Sequence, residues 1–85
     1  MTLNWTIGRN GQRASRYNGK QRTDYTVTST SAGGDVCCQR AWIASWAIRE
    51  ATAALTATPF EHGVIADDCP SEAAAMAACE LRANR

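Results

Sequence analysis

The sequence of 85 residues has little of what most catalytic or membrane-embedded proteins need. It contains one histidine, His62, two prolines, one phenylalanine and a net charge of only +1. No apolar run approaches the roughly 18–20 residues of a membrane-spanning helix, and the first residues show neither the basic start nor the apolar stretch of an export signal. We therefore expect a single small domain over residues 1–85, in the cytoplasm and without a membrane partner.

Charge and composition divide the chain into two parts. Residues 1–30 carry five basic residues and one acidic residue, whereas residues 31–85 carry four basic and seven acidic residues. The first part is rich in threonine, asparagine and glycine, and most of the 16 alanines follow residue 40. Because alanine favours helices, we predict strands first and helices later. The charge asymmetry indicates a partner recognised by electrostatics.

Two Asn-Gly pairs, at residues 10–11 and 18–19, predict two β-hairpins, since this dipeptide suits a two-residue turn of type I′. The predicted strands are residues 2–9, 12–17 and 20–30. In this register Trp5 faces Arg16, which is expected to stack on the indole ring, and Arg13 faces Asp24.

The register sorts the side chains onto two faces, and a slip by one residue would mix them. The apolar face is predicted to consist of Leu3, Trp5, Ile7, Ala14, Tyr25 and Val27. The polar face is predicted to consist of Asn4, Thr6, Arg13, Ser15, Tyr17, Lys20, Arg22, Thr26 and Thr28.

The second part predicts a helix over residues 36–57 after a loop at 31–35, a short strand over 60–66 and a second helix over 70–82. Pro70 is placed at the first position of that helix. Its inward residues are predicted to be Ala73, Ala74, Ala77, Ala78 and Leu81, with Cys79 on the outer side. The order β-β-β-α-β-α predicts an α+β, two-layer sandwich: a three-stranded antiparallel meander and a fourth strand at its edge, parallel to the first and covered by two helices.

Trp42, Trp46 and Arg49 are predicted to form a ridge on the first helix, opposite the face that covers the sheet. Tryptophan and arginine are enriched at binding hot spots, so these three residues are candidate partner-binding residues. The same ridge could serve a homodimer. The alternative is that the two tryptophans pack under the second helix and complete a thin core.

Arg13, Tyr17, Lys20 and Arg22 are a second candidate surface, on the polar face of the sheet. Basic residues beside an aromatic side chain are typical of surfaces that hold a phosphate backbone and stack a base. The alternative is an ordinary solvated face, with cross-strand pairing of opposite charges.

We predict no metal, no cofactor and no catalytic residue. Cys37 and Cys38 are adjacent on the predicted helix and point about 100° apart, and neither Cys69 nor Cys79 has the close spacing of a zinc-binding pair. In the cytoplasm all four cysteines should remain thiols. The only histidine has no predicted nucleophile beside it.

The passage from Val64 to Asp68, after a meander and a helix, resembles the opening of a ribonuclease H-like fold. That family needs further carboxylates on its first strand and first helix to hold two metal ions, where this chain offers Asn4 and Glu50. We therefore interpret Asp67 and Asp68 as charges that favour the positive end of the following helix.

In size, absence of an export signal, absence of catalytic motifs and small α+β plan, the chain resembles phage-encoded inhibitors of host defence, the anti-CRISPR proteins among them. The resemblance is of general type, and because such proteins share no common motif it transfers no site residue. It implies a non-catalytic protein of the host cytoplasm that blocks a protein partner in a nucleic-acid-handling defence complex, at its DNA-binding or partner-binding surface. The alternative is a small nucleic-acid-binding module that uses the basic sheet face directly.

Overall fold

Each strand of the sheet pairs with the strand that precedes or follows it in the sequence. A computed structural model describes residues 3–8, 11–30 and 41–84. These residues form a five-stranded antiparallel meander in the order β1-β2-β3-β4-β5, followed by one helix, α1, that packs on the sheet. The elements are β1 Thr6–Ile7, β2 Gly11–Asn18, β3 Gln21–Thr30, β4 Ala41–Glu50, β5 Glu61–Cys69 and α1 Glu72–Ala83. The α+β class is confirmed, and the predicted order of elements within it is wrong.

Residues 41–50 form strand β4 rather than the middle of the predicted helix 36–57. A spacing of four residues places Trp42 and Trp46 on one side of either a helix or a strand, so this spacing did not distinguish the two. The helix propensity of alanine is overridden because β4 is a central strand, hydrogen-bonded to β3 and β5. The start of the predicted helix and the predicted loop at 31–35 lie outside the described residues.

The strand predicted at 60–66 is the longer β5, and it pairs antiparallel with β4. The predicted parallel position beside the first strand is wrong because residues 41–50 are a strand and not a helix, so β5 returns along β4 as its antiparallel neighbour. The β4–β5 pairing shifts twice, between Trp42 and Ala44 and between Ala44 and Ser45. These irregularities let β5 carry extra residues along the same length of β4.

Both hairpins are present, with a register two residues from the predicted one. Ile7 pairs with Gln12 in the first hairpin and Asn18 pairs with Gln21 in the second, whereas the predicted turns would pair Gln12 with residue 9 and Gln21 with residue 16. A shift of two residues keeps every side chain on its predicted face. The polar and apolar faces of β2 and β3 are therefore as predicted, although Asp24 faces Ser15 and not Arg13.

The core lies between the sheet and α1. Its buried strand residues include Ala14, Tyr25, Val27 and Ala44. Ile7, predicted to belong to this core, is 84% exposed, because β1 has only two residues and the shifted register places Ile7 at the sheet's outer edge, beside Gln12.

Helix α1 begins later than predicted, and the face that it buries overlaps the predicted one only in part: Ala74 and Ala78 pack against the core, whereas Ala73 and Ala77 are exposed. Ser71 is the N-cap, and its hydroxyl accepts a hydrogen bond from the Ala74 amide at 3.1 Å. Ala75, Cys79 and Ala83 are buried at a spacing of four residues, whereas Leu81 is 66% exposed. The predicted outward position of Cys79 is wrong. An alanine-rich helix has little hydrophobic periodicity to indicate its buried face, and the face that packs on the sheet is the one with Ala75, Cys79 and Ala83.

Polar contacts hold α1 in place at both ends. Glu80 accepts hydrogen bonds from the Leu3 amide at 3.1 Å and from Nε1 of Trp5 at 3.2 Å. Gln12 donates to Glu72 at 2.7 Å. Arg16, predicted to stack on Trp5, pairs with Thr23 across the strands and donates to the carbonyl of Ala83 at the end of the helix. No helix in the described part of the chain is long and apolar enough to cross a bilayer.

Candidate functional site: the open face of the sheet

The face of the sheet opposite α1, which we call the open face, includes three rows of side chains that cross the strands beside the pair of Thr28 and Ile43. The register aligns these side chains because residues two apart on a strand share a face. The first row is Arg13, Thr26, Ser45 and Val64. The second row is Ser15, Asp24, Ala47 and His62. The third row is Tyr17, Arg22 and Arg49.

Asp24 lies at the centre of this face and is only 3% exposed. Its Oδ1 accepts hydrogen bonds from the Ser15 hydroxyl at 2.6 Å and from Nε of Arg22 at 2.8 Å. Its Oδ2 accepts from Nη2 of Arg22 at 3.0 Å and from Nη1 of Arg49 at 2.9 Å. Four donors, two of them from one guanidinium in a bidentate pair, compensate the buried carboxylate for its lost hydration.

The two arginines also attach the connection between β4 and β5 to the sheet. Nη1 of Arg22 donates to the carbonyls of Ala51 at 3.1 Å and Ala53 at 2.8 Å. Nε of Arg49 donates to the carbonyl of Ala57 at 2.7 Å. The side chains of one sheet face thus supply the hydrogen bonds that this irregular segment, residues 51–60, cannot make within itself.

The electrostatics of the cluster keep its groups charged. Burial alone would raise the pKa of Asp24, but the hydrogen bonds from Arg22, Ser15 and Arg49 outweigh this effect and hold that pKa below its usual range. The hydrogen bond to Asp24 raises the pKa of Arg22, although burial opposes it. Since arginine is not deprotonated in proteins, the cluster holds two positive charges and one negative charge.

A groove of about 540 Å³ lies on the open face beside this cluster. Thr26, Thr28 and Ser45 line it, together with Arg13, Arg49, His62 and the buried Asp24. Its rim includes Leu55 and Val64, which are 42% and 62% exposed. The polar side chains of the groove can donate to an anion, while the rim can pack against an apolar group.

The four residues predicted as a candidate surface on this face have different surroundings in the structure. Arg13 is exposed and lines the groove, and Tyr17 is 65% exposed at the other end of the face. Lys20 is exposed in the turn between β2 and β3, and it does not line the groove. Arg22 is 6% exposed, so its charge acts on Asp24 and on residues 51–53 rather than on solvent.

The predicted ridge of Trp42, Trp46 and Arg49 does not form, because these residues belong to a strand. Trp42 and Trp46 are half-buried and pack against the core under α1. The guanidinium of Arg82 lies 4.5 Å from the centre of the Trp46 ring, within reach of a cation–π contact. Arg49, an odd number of residues from both tryptophans, lies on the open face.

The described cysteines lie away from this site. Cys69 and Cys79 are buried free thiols. Burial, with a contribution from Cys69, raises the pKa of Cys79 to about 11, which disfavours the reactive thiolate. Among residues 3–8, 11–30 and 41–84, no three His, Cys, Asp or Glu side chains cluster as metal ligands would. Cys37 and Cys38 lie outside these ranges.

Sequence reasoning named Arg49 as a binding residue but placed it with the two tryptophans, and it missed Ser45 and His62. All three residues join the face only because β4 and β5 extend the sheet beyond β3. The alternation of small and large residues from Ser45 to Ile48 was the available signal for a strand, and it competed with the helix propensity of the neighbouring alanines. The hydrogen bonds to residues 51–57 have no sequence signature.

Comparisons with known proteins assign the chain to no family. Protein-family models, curated proteins and solved structures were each compared with the chain, and none of the three comparisons gave a match.

Proposed function

We propose that the protein is a non-catalytic binding protein that blocks a protein partner by covering an acidic surface of that partner with its open face. The observation that carries this proposal is the open-face groove, in which exposed Arg13 stands beside the cluster of Arg22, Arg49 and Asp24, which has one excess positive charge. Oppositely charged surfaces associate faster and with greater specificity than neutral ones.

The arrangement of the groove suits a protein partner. Residues 51–60 are attached to the sheet through Arg22 and Arg49, so one wall of the groove is held in place before a partner arrives. Leu55 and Val64 supply apolar contact at the rim. A pre-organised surface loses less conformational entropy on binding than a mobile one.

The positive charge of the open face indicates which surface of a partner it would cover. If the partner belongs to a nucleic-acid-handling defence complex, its DNA-binding surface is basic and would repel Arg13 and Arg49. The open face is therefore suited to an acidic surface, such as one on which two subunits of the complex meet. The protein would act by occluding that contact.

The second candidate function is the direct binding of single-stranded nucleic acid by the same face. Tyr17 favours it, because this exposed ring shares the open face with Arg13 and could stack a base. However, Tyr17 does not line the groove, so the basic groups and the ring do not converge. Phosphate contacts from few basic residues give a weak, salt-sensitive interaction.

Site-specific photo-crosslinking in a lysate of the host cell tests this proposal. A photoreactive residue at Ser45 probes the open face, and one at Ala77, exposed on α1, is the matched control. We expect a protein adduct from the Ser45 position that is absent from the Ala77 position, and the purified partner should bind the unmodified protein. An adduct from Ala77 alone would move the binding surface to the helix.

A titration with short single-stranded DNA and RNA at low and high salt separates the two candidate functions. A protein-binding open face predicts no saturable nucleic-acid binding when the partner is absent. Saturable binding that weakens with salt and is lost in Tyr17→Ala would favour the nucleic-acid module instead.

A further inference from the structure

The buried cluster of the open face contains more positive than negative charge. Arg22 and Arg49 share the single carboxylate of Asp24, and both Arg22 and Asp24 are nearly inaccessible to water. An excess charge in a desolvated site is costly unless a counter-charge is placed nearby. Among the described residues, no second carboxylate pairs with either arginine.

The groove gives an anion access to this cluster. Arg49 uses Nε and Nη1 for Ala57 and Asp24, so its Nη2 donates to none of the described residues. Arg13 forms no ion pair with a described residue. Both arginines line the groove, and so does Asp24, whose charge is already paired with Arg22 and Arg49.

Hydroxyl groups lie on the path between the two arginines. Thr26 and Ser45 are successive members of the row that starts at Arg13, and neighbouring strands are about 4.8 Å apart. An anion on this row therefore meets hydroxyl side chains as well as charge. Asp24 lies one row away, and the Arg49 side chain, which starts two rows away, extends to Asp24 with its Nη1.

We propose that the groove is a carboxylate subsite, which accepts an acidic side chain from an extended segment of the protein partner. The inference rests on the proposed use of the open face and names the chemistry that this face recognises. The acidic side chain lies between Arg13 and Nη2 of Arg49 and supplies the missing negative charge of the cluster. The apolar rim at Leu55 and Val64 packs against the neighbouring side chain of the segment.

A carboxylate fits these groups better than a phosphate of a nucleic acid. The described lining of the groove includes arginine, threonine and serine residues together with Leu55, Pro59 and Val64, which suit an aliphatic side chain. Base recognition requires an aromatic platform beside the phosphate site. Tyr17 lies outside the groove, and the ring of Trp46, which lines it, packs against the core and Arg82, so His62 is the one ring of the described lining left for stacking.

The test is a titration of the purified protein, followed by two-dimensional NMR, with an acidic hexapeptide that alternates glutamate and leucine. The matched probe replaces each glutamate by glutamine. We expect saturable shifts at Thr26 and Ser45 with the acidic peptide, and an affinity at least about tenfold lower for the amide peptide, since removal of one charge-assisted bond has an effect of this size.

Two single-charge variants complete the experiment. Arg13→Gln should weaken binding of the acidic peptide about tenfold, whereas Lys20→Gln, which removes an equal charge outside the groove, should leave it unchanged. Both positions are exposed, so unaltered thermal unfolding will show that both variants fold.

Any of these results would overturn the subsite. Equal binding of the glutamate and glutamine peptides would show that the groove does not recognise negative charge. Equal affinity of Arg13→Gln and Lys20→Gln for the acidic peptide would place its binding outside the groove. Tighter binding of oligothymidylate than of the acidic peptide would assign the groove to nucleic acid. Groove shifts that grow with protein concentration alone would assign it to a second copy of this chain.

The failure of the subsite is distinguishable from the failure of the proposed function. A protein adduct from Ser45 without peptide binding would retain the open face as the binding surface and remove the carboxylate subsite. Binding of the acidic peptide without a protein adduct from Ser45 would retain the carboxylate subsite and contradict the proposal that the open face binds a protein partner.

Discussion

Arg49 and Asp24 lie on adjacent strands and are joined by an Nη1–Oδ2 contact of 2.9 Å. Asp24 faces Ala47 directly in the register, so the ion pair crosses the strands diagonally. Through this contact and the bond from Arg49 to Ala57, β3, β4 and the segment after β4 are held together on one face. The first two predictions concern this relationship.

Replacement of Asp24 by Ala should be strongly destabilising. The variant leaves Arg22 buried without a counter-charge, and the removal of one partner from a buried ion pair typically costs about 3–5 kcal/mol. Ser15→Ala removes only the hydroxyl donor to the same carboxylate and should cost about 1 kcal/mol. Urea-induced unfolding measures both values, and an equal cost for the two variants would contradict the central role of Asp24.

The stability of the protein should decrease in acid. The pKa of Asp24 is lower in the folded protein than its ordinary value of 3.8, so the unfolded chain binds the proton more readily. The contribution of Asp24 is therefore fully present above pH 3.8 and is lost as the pH falls through the folded-state pKa. The free energy of unfolding, measured from neutral pH into this range, should decrease less steeply in Asp24→Asn.

The glycines of the two Asn-Gly pairs, Gly11 at the start of β2 and Gly19 in the second turn, should differ in their tolerance of alanine. Gly11 has φ +155°, and a Cβ there would lie 1.8 Å from the carbonyl oxygen of Val27, whereas Gly19 has φ +63° and open space around it. Gly19→Ala should cost only the left-handed backbone strain of about 1–2 kcal/mol. Gly11→Ala should cost more, because backbone atoms must move. Thermal unfolding of the two variants measures both losses of stability. A larger loss for Gly19→Ala than for Gly11→Ala would contradict the close approach of Gly11 to Val27.

Substitution of Trp46 should lower stability before it affects binding. Its ring packs against the core, contacts Arg82 and lies close to Gly63, so Trp46→Ala should cost about 2–4 kcal/mol. Arg82→Gln removes only the cation–π contact and should cost about 0.5–1 kcal/mol. Urea-induced unfolding followed by tryptophan fluorescence measures the loss of stability in both variants. A Trp46→Ala variant with unchanged stability and abolished partner binding would restore the tryptophan as a binding residue.

The first hairpins and the final helix could be predicted from the sequence because their signals are local. An Asn-Gly dipeptide encodes a turn within two residues, and the alternation in β2 and β3 assigns each side chain to a face even when the register moves by two. Ser71, Pro70 and the alanine-rich stretch predict a helix without reference to the rest of the chain. For this reason Arg13 and Tyr17 were placed correctly on the open face.

The structure of residues 41–50 was decided by tertiary contacts. Alanine favours a helix while tryptophan and isoleucine favour a strand, and the competition is settled by β3 and β5, which supply hydrogen bonds to both edges of β4. The candidate site depends on the same decision. By itself the sequence determined which side of β2 and β3 is polar, since alternation is a local property. Only the tertiary structure brought Arg49 to Asp24, because contacts between residues 25 positions apart depend on the pairing of strands and not on the residues alone.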